Sequence, residues 1–315
     1  MNGFLFVTPT WDAVPWRKAM QAARPAMAVD VWPKITAVEN IHYAAAWLPP
    51  PGVVASLPNL RVIFSLGAGV DAILSDASLP KGIPIVRVND PDLTNRMSEH
   101  VVMHVLMHHR QQLRISENQK QARWDSFAQH AACDLRVGVM GLGVLGQDAA
   151  RKLSLMGFQV AGWSRSAKSI AGIKCYAGKT ELPAFLARTD VLVCLLPATP
   201  ETDGILNMAL FKSLSRSGPL GAPVLINAGR GRQQVESDIL QALDDGVLNG
   251  ASLDVFGKEP LPVDSRFWQH PKVLLSPHTA ADSDPATICR YIARQIERFE
   301  KDGVLENLVD RVRGY

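Results

Sequence analysis

Leu135-Arg136-Val137-Gly138-Val139-Met140 runs straight into Gly141-Leu142-Gly143-Val144-Leu145-Gly146, and then into a helix-forming stretch over residues 147–155. This passage decides the fold. An apolar strand, a glycine-rich turn and a helix in that order give the GxGxxG pattern a meaning it lacks alone. Gly141 permits a tight turn, Gly143 lets the backbone approach a pyrophosphate, and Gly146 lets the helix pack closely on the strand. The helix start offers unbonded N–H groups and a partial positive charge to phosphate, a site into which Val144 and Leu145 bring their amides. The competing reading, an ordinary glycine-rich turn, does not account for the strand before it and the helix after it.

Working outward, apolar runs at 158–163, 191–196, 224–227, 251–255 and 273–276 continue the series, with helical segments between them. Six strands alternating with helices make a doubly wound parallel sheet. Upstream, shorter runs at 4–7, 26–31, 43–48, 61–66 and 85–88 have the same βαβ spacing. Unbroken apolar strands of this length are those of parallel sheets buried on both faces. Residues 93–121 read as helix, polar on one face, and a last helix is expected at 285–302. The fold class is therefore α/β, with two Rossmann-like doubly wound parallel-sheet domains.

Composition narrows the function classes. The chain has 315 residues, of which 47% are hydrophobic and 20% charged, with a formal net charge of +3. That describes a folded chain and gives no reason to invoke nucleic acid or a membrane surface. No apolar stretch approaches the roughly 20 residues that a membrane helix needs. Residues 1–9 read as a first strand and not as a signal peptide. Cys133, Cys175, Cys194 and Cys289 form no CxxC pair, as in a reducing compartment, so a cytoplasmic protein is expected. His100, His104 and His108 recur every four residues on one helix face, but no cysteine or carboxylate set completes a metal site. A packed stripe is expected there, and no metal.

The end of the second strand selects the cofactor. An acid at that point binds the ribose 2′-OH of NAD. This chain has Ser164-Arg165-Ser166 there, with Lys168 close behind. A guanidinium flanked by hydroxyls suits a 2′-phosphate, so NADP(H) is preferred. In the alternative, Arg165 stacks on adenine and NAD(H) is accepted too.

Three further strand ends carry polar groups: Arg230 in Asn227-Ala228-Gly229-Arg230-Gly231, Glu259 after Asp254, and His278 in Ser276-Pro277-His278-Thr279-Ala280. Ligands of open α/β sheets bind beyond the carboxyl ends of the strands. Carbonyl reduction needs a hydride at carbon and a proton at oxygen. An imidazole is the natural proton donor, a carboxylate on its other nitrogen orients it, and a fixed cation binds a carboxylate and polarises the keto oxygen. His278, Glu259 and Arg230 fit those roles as the catalytic set.

Taken together, these motifs resemble the D-isomer-specific 2-hydroxyacid dehydrogenase family nearly from end to end, most specifically at 141–146, 196–202, 227–231, 254–262 and 276–280. The resemblance implies a discontinuous substrate domain of flavodoxin-like type over 1–99 and 282–315, and an NAD(P)-binding domain over 100–281. It implies that the backbone amides of Ala68 and Gly69, in Gly67-Ala68-Gly69-Val70-Asp71, hold the substrate carboxylate beside Arg230. Leu196, Pro197, Ala228, Asp254 and Ala280 then line the cofactor site, with Ala228 and Asp254 at the nicotinamide amide. The chain is most similar to the short glyoxylate/hydroxypyruvate reductases, where a loop like Ala46-Trp47-Leu48-Pro49-Pro50 places an aromatic wall, here Trp47, near the substrate. A homodimer acting on a small 2-oxo or 2-hydroxy acid is implied. Two other readings stand beside this one. One is a broader reductase of phenylpyruvate-like or branched 2-oxo acids. The other is a non-enzymatic dinucleotide-sensing scaffold resembling transcriptional corepressors.

Overall fold

A computed structural model describes residues 2–314. The first part of the chain runs β1 (Gly3–Val7), α1 (Val14–Ala23), β2 (Val29–Val31), β3 (Ile41–Ala46), β4 (Val62–Ser65), α2 (Asp71–Leu74), β5 (Ile85–Arg87) and α3 (Pro91–His109). It continues α4 (Gln112–Lys120), β6 (Arg136–Met140), α5 (Val144–Leu155), β7 (Gln159–Ser164), β8 (Lys174–Ala177), α6 (Gly178–Ala187) and β9 (Val191–Cys194). The last stretch is α7 (Met208–Ser213), β10 (Val224–Asn227), α8 (Glu236–Asp244), β11 (Gly250–Leu253), β12 (Val273–Leu275) and α9 (Pro285–Asp302).

The chain divides into two compact units, Met1–Leu93 with Asp282–Tyr315, and Thr94–Ala281. The first holds a five-stranded parallel sheet of order β2-β1-β3-β4-β5. This is the flavodoxin-like winding. The second holds seven parallel strands in the order β12-β11-β10-β9-β6-β7-β8. The chain reverses its winding between β6 and β9, which is the switch point where such sheets bind ligands.

The strands read as unbroken apolar runs because both faces of each sheet are covered. In β1, Phe4 and Phe6 pack with Trp16, Met20 and Ile292 on one face, while Leu5 and Val7 pack with Val54 and Ile63 on the other. In β6, Val137 and Val139 face Ala149 and Leu153, whereas Met140 faces Leu192 and Phe211. Fully burying one such aliphatic or aromatic side chain contributes about 1.5–3 kcal/mol. The final helix has its local signals in order. The Asp284 side chain accepts from the Thr287 amide at 2.7 Å, Pro285 opens α9, and Gly303 closes it at φ 70°.

Three features depart from the sequence reading. The second sheet has a seventh strand, β8, at its edge. Its residues Lys-Cys-Tyr-Ala bury only Tyr176, so no apolar run announces it. The helix expected over 93–121 is two helices, because Gln111 takes a left-handed φ of 53° between α3 and α4. No glycine or proline stands at that break. The division between the units falls after Leu93, inside α3, earlier than the expected residue 99.

Candidate active site

The glycine turn lies at the switch point of the second sheet. Gly141 follows β6 at φ 105°, a conformation that side chains rarely adopt, and a Cβ there would lie 2.6 Å from the Leu195 carbonyl oxygen after β9. A Cβ on Gly146 would lie 1.9 Å from the carbonyl oxygen of Gly141, so the helix could not seat against the turn. Beyond Gly143 there is open space. Gly143 is also the N-cap of α5 and caps no amide with a side chain. The amides of Val144, Leu145 and Gly146 thus open the helix beside a backbone that a phosphate can approach. This geometry fits a pyrophosphate at a helix N-terminus.

At the end of β7, the Ser164 hydroxyl donates to the Ser166 carbonyl at 2.8 Å and shapes the turn. Ser164 is buried, while Arg165, Ser166 and Lys168 are exposed. No carboxylate occupies residues 163–168. The fit to a 2′-phosphate therefore falls on Arg165, Ser166 and Lys168, with Ser164 as a support.

The other strand ends carry the reactive groups. The Nδ1 of His278 lies 2.7 Å from Oε2 of Glu259, and Oε1 of Glu259 accepts the Phe256 amide at 2.9 Å. Burial alone would raise the Glu259 carboxyl. The hydrogen bonds from His278 and Phe256, with the charges of His278 and Arg230, outweigh burial and hold it below the usual carboxylate range. Glu259 is therefore ionised at neutral pH, and Arg230 is close enough to contribute to that shift. The two side chains are about one-third exposed, at 30% for His278 and 34% for Glu259, so both are reachable from solvent.

Asp254 serves the same loop. Its Oδ1 accepts the Ser276 hydroxyl at 2.6 Å and the amides of Thr279 and Ala280 at 2.9 and 3.1 Å. The His278 amide donates to the Asp254 carbonyl at 2.9 Å. The buried Asp254 carboxylate thus fixes the turn that carries His278, at φ 56°. Gln233 is a functional residue that the sequence reading missed. Fully buried, it donates to the Leu196 carbonyl at 2.6 Å and the Pro197 carbonyl at 3.1 Å, and accepts the Arg230 amide at 3.0 Å. One amide side chain thereby ties the Leu196-Pro197 turn to the Arg230 turn. Ala228, also buried, donates its amide to the Cys194 carbonyl at 3.2 Å.

In the first unit, the hydroxyl of buried Ser65 lies 3.0 Å from the Gly67 carbonyl and 2.7 Å from the Gly69 carbonyl. A trans peptide points its N–H opposite to its C=O. Drawing the Gly67 carbonyl to Ser65 therefore turns the Ala68 amide away from the interior. Ser65 is a second residue that the sequence reading missed. Trp47 lies against this turn, with its Cζ3 2.4 Å from where a Cβ on Gly67 would stand. The same unit has a cleft of about 1170 Å³ along α1 and α9, bordered by Arg24, Arg290 and Glu297, which none of the candidate residues lines.

The histidine stripe is packed. His100, His104 and His108 are buried, the first two rings lie 4.3 Å apart, and His108 Nε2 is 2.8 Å from the Ser252 hydroxyl on β11. Burial pushes His104 down to about 4 and His108 down to about 3, so both are neutral at physiological pH. Among the described residues no helix is long and apolar enough to cross a membrane.

Residues 102–280 match the model of the D-isomer specific 2-hydroxyacid dehydrogenase NAD binding domain. A glyoxylate/hydroxypyruvate reductase A from Escherichia fergusonii is 40% identical over 316 aligned positions, covering 99% of each chain. The crystal structure of an NADPH-dependent glyoxylate/hydroxypyruvate reductase from Sinorhizobium meliloti, in complex with NADP and sulfate, is similar at a TM-score of 0.95 and 47% identity, covering 100% of both chains. A D-isomer specific 2-hydroxyacid dehydrogenase from Xanthobacter autotrophicus, in complex with NADPH and MES, is similar at a TM-score of 0.94 and 37% identity, covering 100% of this chain and 99% of that one.

Proposed function

Since the chain belongs to the D-isomer specific 2-hydroxyacid dehydrogenase family, we propose that it reduces glyoxylate and hydroxypyruvate with NADPH. It is an NAD(P)-dependent oxidoreductase, and its relatives of similar length are crystallised with NADP or NADPH. The observation that carries the reading is the 2.7 Å Glu259–His278 pair, set on the strand ends that also carry Arg230.

The roles divide as follows. The turn of Gly141, Gly143, Val144, Leu145 and Gly146 holds the pyrophosphate, and Arg165, Ser166 and Lys168 hold the 2′-phosphate. Leu196, Pro197, Ala228, Asp254 and Ala280 border the nicotinamide end. When bound, the dinucleotide supplies the hydride. In the first unit the amides of Ala68 and Gly69 bind the substrate carboxylate; in the second the Arg230 guanidinium polarises the keto oxygen. His278, its Nδ1 engaged by Glu259, delivers the proton from Nε2 to that oxygen. Glu259 fixes the ring orientation and balances the positive charge of the protonated imidazole. Trp47 bounds the substrate on the side of Gly67 and so favours short 2-oxo acids over bulky ones.

A homodimer completes the proposal. In the second unit Trp124 is 98% exposed, with Met103 and Ile115 also exposed, and these are apolar side chains that a partner chain would cover.

The test is His278→Ala. NADPH-dependent reduction of glyoxylate should fall at least about 1000-fold, in the range of a lost general acid, while NADPH binding measured by fluorescence titration stays unchanged. Turnover within a few-fold of the parent would remove His278 from the reaction.

A further inference from the structure

Three tryptophans of the first unit stack into one column. The rings of Trp11 and Trp47 lie 4.9 Å apart at 20°, and those of Trp11 and Trp16 lie 5.5 Å apart at 18°. Trp16, at the foot, is buried, packs on Phe6 with centroids 6.1 Å apart, and accepts the Cys289 thiol on its carbonyl at 3.6 Å. Trp47, at the head, is only partly buried and is pinned through its backbone, its amide donating to the Val7 carbonyl at 3.0 Å. Its ring edge meets the Gly67 turn. Trp11, in the middle, sits in the loop between β1 and α1 and belongs to no regular element.

An indole side chain has two rotatable bonds, and a ring stacked on one broad face cannot swing toward that side. The column therefore fixes how far Trp47 stands from the Gly67–Gly69 turn. We propose that Trp11 is a positioning residue that determines substrate size, because it holds Trp47 between a core-anchored indole and the turn assigned to the substrate carboxylate. The inference rests on the reading above that this turn binds substrate. Without Trp11, the Trp47 ring loses its neighbour on the stacked face and can tilt away from the turn. The space beside the carboxylate then widens, and 2-oxo acids with bulky C3 substituents gain entry. Trp11, Trp16 and Trp47 belong to the first unit, whereas the dinucleotide turn and His278 belong to the second, so the change is made away from the hydride and proton donors in the chain.

The test compares kcat/KM for glyoxylate and phenylpyruvate, both with NADPH, in the parent, Trp11→Ala, Trp11→Phe and Trp47→Ala. In Trp11→Ala the glyoxylate-to-phenylpyruvate ratio should fall by about tenfold or more, the scale on which pockets discriminate by shape, with the KM for NADPH unchanged. Trp11→Phe keeps a stacking face and should restore the ratio to within about threefold of the parent. Should the alanine variant not fold, Trp11→Leu removes the stacking face while keeping apolar volume and carries the same expectation. An unchanged ratio in Trp11→Ala, or an equal loss on both substrates, with the ratio shifted in Trp47→Ala, overturns the role of Trp11 alone. An unchanged ratio in Trp47→Ala as well overturns the placement of substrate beside this turn, and the inference with it.

Discussion

Two glycine turns, one in each unit, look alike in sequence and are held by different physics. In the second unit, Gly141 and Gly146 are required by backbone against backbone, with added Cβ atoms at 2.6 and 1.9 Å from the carbonyl oxygens of Leu195, just past β9, and of the turn itself. In the first unit, Gly67 is required by a side chain, the Trp47 ring edge at 2.4 Å. A backbone carbonyl one residue past a buried parallel strand cannot move far without the strand. An indole can be replaced. On the proposed assignments, the dinucleotide turn is thus a fixed part of the fold and the carboxylate turn an adjustable part of the specificity.

Of the two turns, the larger effect should come from the dinucleotide turn, in Gly146→Ala. Its methyl must push α5 off the turn, an overpacking that costs about 3 kcal/mol or more. Thermal unfolding should shift down by several degrees, and NADPH affinity measured by titration should drop at least about 100-fold because the helix amides no longer face the phosphates. Near-parent affinity would show that the turn yields more easily than backbone packing allows.

A smaller and reversible effect is expected at the other turn. Gly67→Ala should reduce kcat/KM for glyoxylate about tenfold by driving Trp47 aside, with NADPH affinity intact. Made in a Trp47→Ala background, the same methyl should cost almost nothing further. That non-additivity, read as a double-mutant cycle on kcat/KM, identifies the indole as the constraint. Strict additivity would place the constraint in the backbone, as at Gly146, and erase the contrast between the turns.

What was legible in the sequence follows from the same contrast. The dinucleotide turn could be read because strand, glycines and helix are contiguous, so the local order carries the geometry. Glu259 and His278 could be read because each stands a few residues beyond a strand of the same sheet. Ser65 and Gln233 could not. Their work is to fix carbonyls of a turn two residues away or of another loop 36 residues back, and only the folded path brings these together. The Trp11 column is hidden for the same reason, since a tryptophan in a loop carries no periodic signal. The left-handed Gln111 that divides α3 from α4 lacks the glycine or proline that marks such a break, and β8 lacks the apolar run that marks a strand.

The central claim is that this constellation moves a hydride from NADPH to the carbonyl carbon of a short 2-oxo acid. The direct measurement is the loss of NADPH absorbance with purified protein, run with NADPH and with NADH against glyoxylate, hydroxypyruvate, pyruvate and phenylpyruvate. The highest kcat/KM is expected for glyoxylate or hydroxypyruvate with NADPH, at least about tenfold above NADH, the scale of one charge-assisted contact to the 2′-phosphate. No oxidation of either cofactor with any of the four acids, or a clear preference for NADH with phenylpyruvate, would contradict it.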